Sequence, residues 1–144
     1  MPTGTREDPL LGFNFLIEID GITQGGFQDV VGLENTTTAI DYREGSDPNH
    51  VRKLTGLNLF TPITLKRGVT TSTELYDWRQ TVLDGKADRR NGSIVMLDDT
   101  GAERIRWNFT NGWPSKWTGP TFSASQATVA IESLDITIEE LTRA

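Results

Sequence analysis

Hydrophobic and polar residues alternate along much of this chain with a period of two. Between Gly12 and Asp20, apolar side chains occupy every second position, namely Phe13, Phe15, Ile17 and Ile19. Because successive side chains of a strand point to opposite faces, this pattern predicts a strand with one face in a core. The segment Ala102 to Thr110 places Ile105, Trp107 and Phe109 on one face in the same way. The chain is therefore predicted to be mainly β.

Further segments have strand character, and turn-forming residues separate them. They are Gly25 to Leu33, Asn35 to Tyr42, Leu57 to Lys66, Ser93 to Leu97 and Ala127 to Leu141. The quartet Asp98 to Gly101 is rich in turn residues, so the strands on either side of it are predicted to form a hairpin.

One segment has helical periodicity instead. Leu75, Trp78 and Val82 form an apolar stripe, and Thr71 to Glu74 has the pattern of a capping box. Gly85 is typical of a C-terminal stop. We predict one helix at about residues 73–84, packed beside the sheet.

Three irregularities interrupt the strand pattern. Arg43 to Gly56 follows neither period, which predicts a long loop at about residues 43–56. Pro62 cannot donate to a ladder, so it indicates an edge or a bulge. In the last segment the apolar phase changes after Val129 and Ile131, so we expect a one-residue bulge near Glu132-Ser133.

Length and composition narrow the class of protein. The 144 residues match one domain, predicted to span 1–144 with a flexible lead at 1–10. Fourteen basic and 20 acidic residues give a formal net charge of -6, which argues against a general nucleic-acid binder. Without cysteine there is no thiolate metal site and no disulfide. Neither a signal peptide nor a membrane span is recognisable, so we expect assembly in the cytoplasm.

Residues with catalytic potential form no recognised constellation. His50 is the only histidine and lies in the polar loop, remote in sequence from any serine at a strand-to-helix turn. Asp98-Asp99 lacks the spacing of a calcium loop, and Gly21 to Gly26 lacks a phosphate-binding fingerprint. We therefore predict no catalytic residue, no cofactor and no metal, and expect that the protein is not an enzyme. A basic cluster after the helix is interpreted as a solvated connector or an intersubunit salt bridge, and comprises Lys86, Arg89 and Arg90.

An aromatic cluster near the C-terminus allows two interpretations. Its members are Trp107, Phe109, Trp113 and Trp117, interleaved with Arg106 and Lys116. Such rings could stack bases on a small barrel that binds single-stranded nucleic acid, an interpretation that the net acidity opposes. The spacing of two between the first pair is more simply explained by core packing. We predict these core aromatics: Phe13, Phe15, Trp78, Trp107 and Phe109.

An ordered set of short motifs then supplies a resemblance that covers about Asp8 to Leu141. The set comprises Asp8 to Gly21, Gly26-Phe27, Val31 to Glu34, Tyr42 to Gly45, Arg52 to Leu54, Ile63 to Val69, Leu75 to Trp78, Arg90 to Ile94, Trp107 to Phe109 and Trp113-Pro114. In this order the chain resembles the inner tube proteins of contractile phage tails and contractile injection systems. That family is related to the haemolysin-coregulated tube protein of type VI secretion.

The resemblance implies a fold and a function. The fold would be an antiparallel β-barrel or sandwich with one packed helix. The subunit would form hexameric rings that stack into the inner tube, a conduit for cargo. Its partners would be copies of itself, the sheath protein, baseplate and spike proteins, and the cargo, with no specific nucleic acid and no membrane segment. The particle would be a phage tail or an injector, either released or anchored to an envelope.

The resemblance also implies a role for the predicted loop, which would reach the adjacent ring. The implied inter-ring contact residues are Arg43, Glu44, Asp47, His50, Arg52, Lys53 and Leu54. A baseplate-proximal tube initiator is the alternative within the same class.

Overall fold

The computed structural model describes residues 9–22, 27–125 and 127–144. In chain order its elements are β1 (Phe15–Ile19), β2 (Phe27–Val31), β3 (Asn35–Tyr42), β4 (Arg52–Phe60), β5 (Ile63–Gly68), α1 (Glu74–Leu83), β6 (Arg90–Leu97), β7 (Glu103–Thr118), β8 (Ile131–Thr137) and β9 (Glu140–Arg143). The prediction of a mainly β chain with one helix is confirmed. The flexible lead predicted at residues 1–10 lies mostly outside the described residues.

A long central strand, β7, organises the main sheet. Its first half pairs antiparallel with β6 and with β9, and its second half pairs with β8. The strand order is β1-β6-β7-β8-β5-β2, with β9 beside β7. Asn111 lies between the two halves of β7 and has a φ of 51°, at a register shift in the pairing with β6. Among the residues that the structure describes, the order starts at β1 and ends at β2 without joining them, so the fold is a sandwich rather than a closed barrel.

The core lies between the two halves of this bent sheet. Alternate residues of β1, β5 and β8 point into it, and α1 contributes two more; these residues are Ile17, Ile19, Ile63, Leu65, Leu134, Ile136, Leu75 and Trp78. The alternation in the sequence follows from this geometry, because each strand has one buried and one wet face. Phe109 fills the bend, since a Cβ on Gly92 would lie 2.4 Å from its ring and one on Gly112 would lie 2.7 Å from it.

The helix forms where it was predicted, although its N-terminal cap differs. Thr73 is the N-cap residue and makes no side-chain cap hydrogen bond. Its hydroxyl donates instead to Oδ2 of Asp77, over 3.0 Å. The predicted capping box beginning at Thr71 was therefore wrong. Gly85 follows the helix with a φ of 78°, as expected of a C-terminal stop.

Strands β3 and β4 form a separate two-stranded sheet that continues the β2–β5 pair. We call residues 35–60 the arm. Gly32 lies at the root of the arm with a φ of 98°, and a Cβ there would be 2.3 Å from the carbonyl oxygen of Pro62. Only glycine fits this close approach without strain.

The predicted loop and one predicted strand need correction here. The loop at 43–56 ends at Val51, because residues 52–56 belong to β4. The single strand predicted from Leu57 to Lys66 is two strands, interrupted at Thr61-Pro62. Pairing with β3 imposes strand structure on a segment whose own pattern is weak.

The predicted bulge near Glu132-Ser133 is absent. Strands β5 and β8 pair in unbroken register, with Arg67 opposite Glu132. The inward phase of Leu134 therefore continues back to Glu132, and Val129 and Ile131 are exposed. An acidic residue occupies the core position because Arg67 is there to pair with it.

Candidate assembly surfaces

The arm has one apolar and one polar face. Cross-strand pairs share a face, so Ile40 and Leu54 lie on one side with Leu59, while Asp41 and Lys53 lie on the other. Five apolar side chains on the two strands of the arm are between 43% and 75% exposed: Ile40, Tyr42, Leu54, Leu57 and Leu59. Single exposed apolar residues are ordinary, but five on one two-stranded ribbon form a patch typical of a contact surface.

A β-bulge sets the shape of the arm. The register shifts after Thr37, and the hydroxyl of Thr38 accepts a hydrogen bond from the amide of Leu57 over 2.9 Å. Gly56 leaves room for this hydroxyl, because a Cβ there would lie 2.4 Å from it. Leu57, at the bulge, is the most exposed of the five apolar side chains.

The tip of the arm is held by Asp47. Its carboxylate forms an ion pair with Arg52 over 2.5 Å and accepts a hydrogen bond from the backbone amide of Glu44 over 2.8 Å. Arg43 donates to the carbonyl oxygens of Asp47 and Pro48. The tip is thus an ordered turn built from the charged residues that the sequence singled out.

The rest of the predicted contact set also lies on the arm. Lys53 pairs with Asp41 on the polar face over 2.5 Å, and Leu54 lies on the apolar face. His50 is exposed at the tip. The hydroxyl of Tyr42 donates to Glu44 over 2.9 Å, and this hydrogen bond raises the pKa of Tyr42. The structure therefore brings all seven predicted residues together on one projection.

An apolar groove, which sequence reasoning missed, lies between the two ends of the main sheet. Its volume is about 240 Å³, and its lining includes Phe15, Ile94, Met96, Trp107, Val31 and Leu33. β1 and β2 are the terminal strands of the sheet, and within the described part of the chain each pairs with one neighbouring strand. No local sequence pattern reveals the groove, because it forms between β1 and β2, two edge strands whose relative position is set by the tertiary fold.

The predicted core aromatics are not all in the core. Trp78 and Phe109 are each 1% exposed. Phe15 is half-buried against the core, and Trp107 is half-buried at the groove. Phe13 is 73% exposed, so its assignment to the core was wrong. Phe13 precedes β1, whose pairing with β6 begins at Phe15. The alternation of apolar residues extends back to Phe13 and does not show where the pairing begins.

The aromatic cluster does not form an open stacking platform. Phe109 is buried, and the ring of Trp117 packs edge-on against Tyr76 with centroids 5.0 Å apart. Nε1 of Trp117 also donates to Oε2 of Glu132 over 3.3 Å. Arg106 donates hydrogen bonds to the carboxylates of Glu103 and Glu18, and these bonds raise the pKa of Arg106.

Three of the remaining charged candidates, Arg89, Arg90 and Asp98, have local structural partners. In the basic cluster, Arg89 pairs with Glu139 over 3.1 Å, and Arg90 pairs with Asp88 over 2.9 Å. Asp98 holds its turn by accepting from the hydroxyl of Thr100 over 2.6 Å and from the amide of Ala102 over 3.0 Å.

The described part of the chain offers neither a metal site nor a membrane-spanning helix. No group of three or more His, Cys, Asp or Glu there could hold a metal ion. None of its helices has the length and apolarity needed to cross a membrane.

Comparison with known proteins gives consistent results. The family model described as T4-like virus tail tube protein gp19 matches residues 11–142. A chain of the PVC sheath-tube complex, from an extracellular contractile injection system in the extended state, is 26% identical with a TM-score of 0.86; the match covers 96% of this chain and 93% of that one. No curated protein sequence matches.

Two further solved structures share the fold. A chain of the tube terminating cap of the anti-feeding prophage is 22% identical with a TM-score of 0.89, over 99% of this chain and 95% of that one. Hcp1 from Flavobacterium johnsoniae is 17% identical with a TM-score of 0.52, over 90% and 94%.

Proposed function

The chain belongs to the T4-like virus tail tube protein gp19 family, and we propose that it forms hexameric rings that stack into the inner tube of a contractile injection system or phage tail. The tube serves as a conduit for cargo, and the subunit acts by self-assembly rather than by catalysis. Residues 1–144 act as one tube domain. The observation that carries this proposal is the arm, whose apolar face has no cover within the described part of the chain.

Energetics support a partner for the arm. A two-stranded hairpin is marginal in water by itself, and three or more strands or a packing surface are needed for stability. Burying five apolar side chains against a neighbour supplies that surface, at about 1.5 to 3 kcal/mol for each fully buried side chain. A subunit that builds such a projection is suited to permanent assembly.

The sheet edges support the same conclusion. β1 and β2 end the strand order, and unpaired edges invite association with other chains. Closure of a ring of identical copies satisfies such edges without leaving one free. Closed rings that stack through the arm would make a tube of defined bore.

The charged tip provides specificity in the proposed stacking contact. Arg43, Glu44, Asp47 and Arg52 are pre-ordered by their mutual bonds, so little side-chain entropy is lost when a second ring meets them. Complementary charge at such a contact fixes register more than it adds affinity. His50, Lys53 and Leu54 complete this proposed contact surface.

Further partners follow from the relatives. The similar chains come from structures described as a sheath-tube complex, a baseplate and a tube-terminating cap. We therefore assign to this subunit a sheath around it, a baseplate with its spike below it and a cap above it. The particle is an extracellular injector or phage tail, assembled before release.

Electron microscopy of the purified protein tests the proposal. Wild-type protein should give rings and tubes in negative stain, and Leu57→Glu, on the apolar face, should abolish stacking. Thr55→Glu is the matched control, because Thr55 lies on the polar face of the same strand. Deleting Ser46 to Val51 should also weaken stacking while sparing the fold. A wild-type protein that sediments as a monomer at high concentration, or tubes that form equally well from Leu57→Glu, would contradict the proposal.

A further inference from the structure

The chain has two Asn-Gly dipeptides, Asn91-Gly92 and Asn111-Gly112, and they meet at the bend of β7. The side-chain oxygen of Asn91 accepts a hydrogen bond from the backbone amide of Asn111 over 3.0 Å. The side-chain nitrogen of Asn111 donates to Oε2 of Glu139 over 2.8 Å. The two side-chain amides are therefore held at opposite ends, Asn91 by its oxygen and Asn111 by its nitrogen.

Packing keeps a glycine after each asparagine. A Cβ on Gly92 would lie 2.4 Å from the ring of Phe109, and one on Gly112 would lie 2.7 Å from the same ring. Asn111 has a φ of 51°, in the left-handed region that asparagine adopts more readily than most residues. The fold therefore retains a chemically labile sequence, because a following glycine leaves its backbone nitrogen open to the asparagine side chain.

We propose that Asn91 is a site of spontaneous deamidation and that Glu139 protects Asn111 from the same reaction. The backbone nitrogen of Gly92 bonds to Cγ of Asn91 and gives its proton to a solvent base. The Cγ–Nδ2 bond breaks, and Nδ2 leaves as ammonia after taking a proton from water. A second water opens the resulting succinimide ring, which gives aspartate if it adds at Cγ and isoaspartate if it adds at the backbone carbonyl. The reaction requires only the folded subunit, whatever its assembly.

The hydrogen bond to Asn91 favours this attack. Negative charge develops on Oδ1 as the nitrogen adds to Cγ, and a donor already aimed at that oxygen stabilises the charge. The backbone amide of Asn111 is such a donor. Asn91 also lies within a register shift of the β6–β7 pairing, between Arg90 and Gly92, and it is exposed to the water that hydrolysis needs. The regular ladder is thus interrupted at the reactive dipeptide.

Asn111 is held in the opposite sense. The carboxylate that accepts from its Nδ2 has a fixed position, because Glu139 pairs with Arg89 over 3.1 Å and its backbone amide donates to the carbonyl oxygen of Thr110 over 3.1 Å. To bring its Cγ onto the nitrogen of Gly112, Asn111 must give up this charge-assisted hydrogen bond. Gly112 is also buried, which restricts the access of water.

The protected site is the one where the product would be harmful. An aspartate at position 111 would face the carboxylate of Glu139 in place of the 2.8 Å hydrogen bond, and like charges repel. An aspartate at position 91 would keep an oxygen for the backbone amide of Asn111, and Arg89 and Arg90 precede it in the chain.

Peptide mapping by mass spectrometry tests the assignment. Wild-type protein is incubated at mildly alkaline pH, and the aspartate and isoaspartate formed at each dipeptide are measured over time. We expect the amide of Asn91 to be lost about tenfold faster than that of Asn111 in the folded protein. In urea, where neither hydrogen bond exists, the two rates should be similar. Equal rates in the folded protein, a faster rate at Asn111, or no reaction at Asn91 would overturn the proposal.

Two variants separate protection from a general loosening of the bend. Glu139→Ala removes the acceptor and should raise the rate at Asn111 about tenfold, toward its value in urea, without changing the rate at Asn91. Arg89→Ala is the matched control, since it breaks the ion pair of Glu139 and keeps the acceptor for Asn111, so its effect should be much smaller. If the two variants raise the rate equally, or if neither does, Glu139 does not protect Asn111.

Substitutions that imitate the products test the difference in harm. Asn111→Asp should lower the melting temperature, measured by circular dichroism, and adding Glu139→Gln should restore it, because the glutamine amide can donate to the new carboxylate. Asn91→Asp should melt within a few degrees of wild type. Equal melting temperatures for the two aspartate variants would contradict this part of the proposal.

Discussion

Arg67 and Glu132 form an ion pair inside the sandwich, with Nε of the arginine donating to Oε1 of the glutamate over 2.7 Å. Their side chains are only 4% and 11% exposed. Oε2 of Glu132 accepts from Nε1 of Trp117, so both carboxylate oxygens are used. The pair joins β5 to β8 at one register position, and the tryptophan ties it to β7.

Removing one partner of this pair should be costly. Glu132→Ala leaves the guanidinium in the core without its carboxylate, and we expect a loss of about 3 to 5 kcal/mol in the free energy of unfolding. Urea denaturation of dilute protein measures it. The double variant Arg67→Met with Glu132→Leu should lose much less, since it removes both charges and keeps the volume. Equal losses in the two variants would contradict this account.

Gly32 should resist substitution at the root of the arm. In Gly32→Ala, the new Cβ meets the carbonyl oxygen of Pro62 at 2.3 Å, in a backbone conformation with a φ of 98°. We expect a loss of about 1 to 3 kcal/mol from backbone strain, measured by urea denaturation. Gly45→Ala is the control, because a Cβ at Gly45 meets nothing within 4 Å. A loss in the control as large as that in Gly32→Ala would contradict the steric argument.

Trp78 should anchor the helix to the sheet. Its ring is buried, and Nε1 donates to the carbonyl oxygen of Asp88 over 2.6 Å. Trp78→Ala should cost about 3 to 5 kcal/mol through the cavity it leaves. Trp78→Phe keeps most of the packing and loses the hydrogen bond, so a smaller loss is expected. Thermal unfolding followed by circular dichroism compares the two, and an unchanged melting temperature in Trp78→Ala would refute the assignment.

Acid should weaken the Asp98 turn in a defined window. The Thr100 hydroxyl, helped by the amide of Ala102, lowers the pKa of Asp98 from 3.8 to about 2. A pKa lowered in the folded state means that the stabilisation is fully present above about pH 4 and is lost as the pH falls toward 2.

A variant isolates this effect. Thr100→Val removes the hydroxyl donor, so the pKa of Asp98 should return toward its ordinary value. Carbon-detected NMR titration of the carboxyl group reports this shift. A titration curve that is the same in both proteins would show that the hydroxyl is not the cause.

Much of the fold could be predicted because its signals are local. The sequence pattern predicts the strand Asn35–Tyr42 with the bounds that the structure shows. The turn residues Asp98 to Gly101 predict the hairpin that is observed there. The helix followed from one apolar stripe and a terminal glycine. In each case the residues that specify the element are the ones that form it.

The failures have a common cause in distant partners. Glu132 occupies a core position because Arg67, on another strand, pairs with its charge there. The hydrophobic pattern along β8 cannot reveal a partner that lies on a different strand. Residues 52–56 become strand because β3 lies beside them. The prediction that Phe13 is buried was wrong because pairing with β6 begins only at Phe15.

The candidate site divides in the same way. Its charged tip was found from the sequence, since an aperiodic stretch between strands is visible locally. Its apolar face was missed, because the face exists only when Ile40 and Leu54 are brought opposite each other. The groove was missed altogether.

By itself the sequence determined the class of fold, the sites of most strands, the helix and the family, because side-chain periodicity, turn residues and short motifs are properties of neighbouring positions. Only the tertiary structure decided which apolar residues remain uncovered, which charges are buried as a pair and where the sheet stays open. Those outcomes depend on the register and bending of strands that are far apart in the chain. Which side chains are buried depends on how all the elements pack around one core.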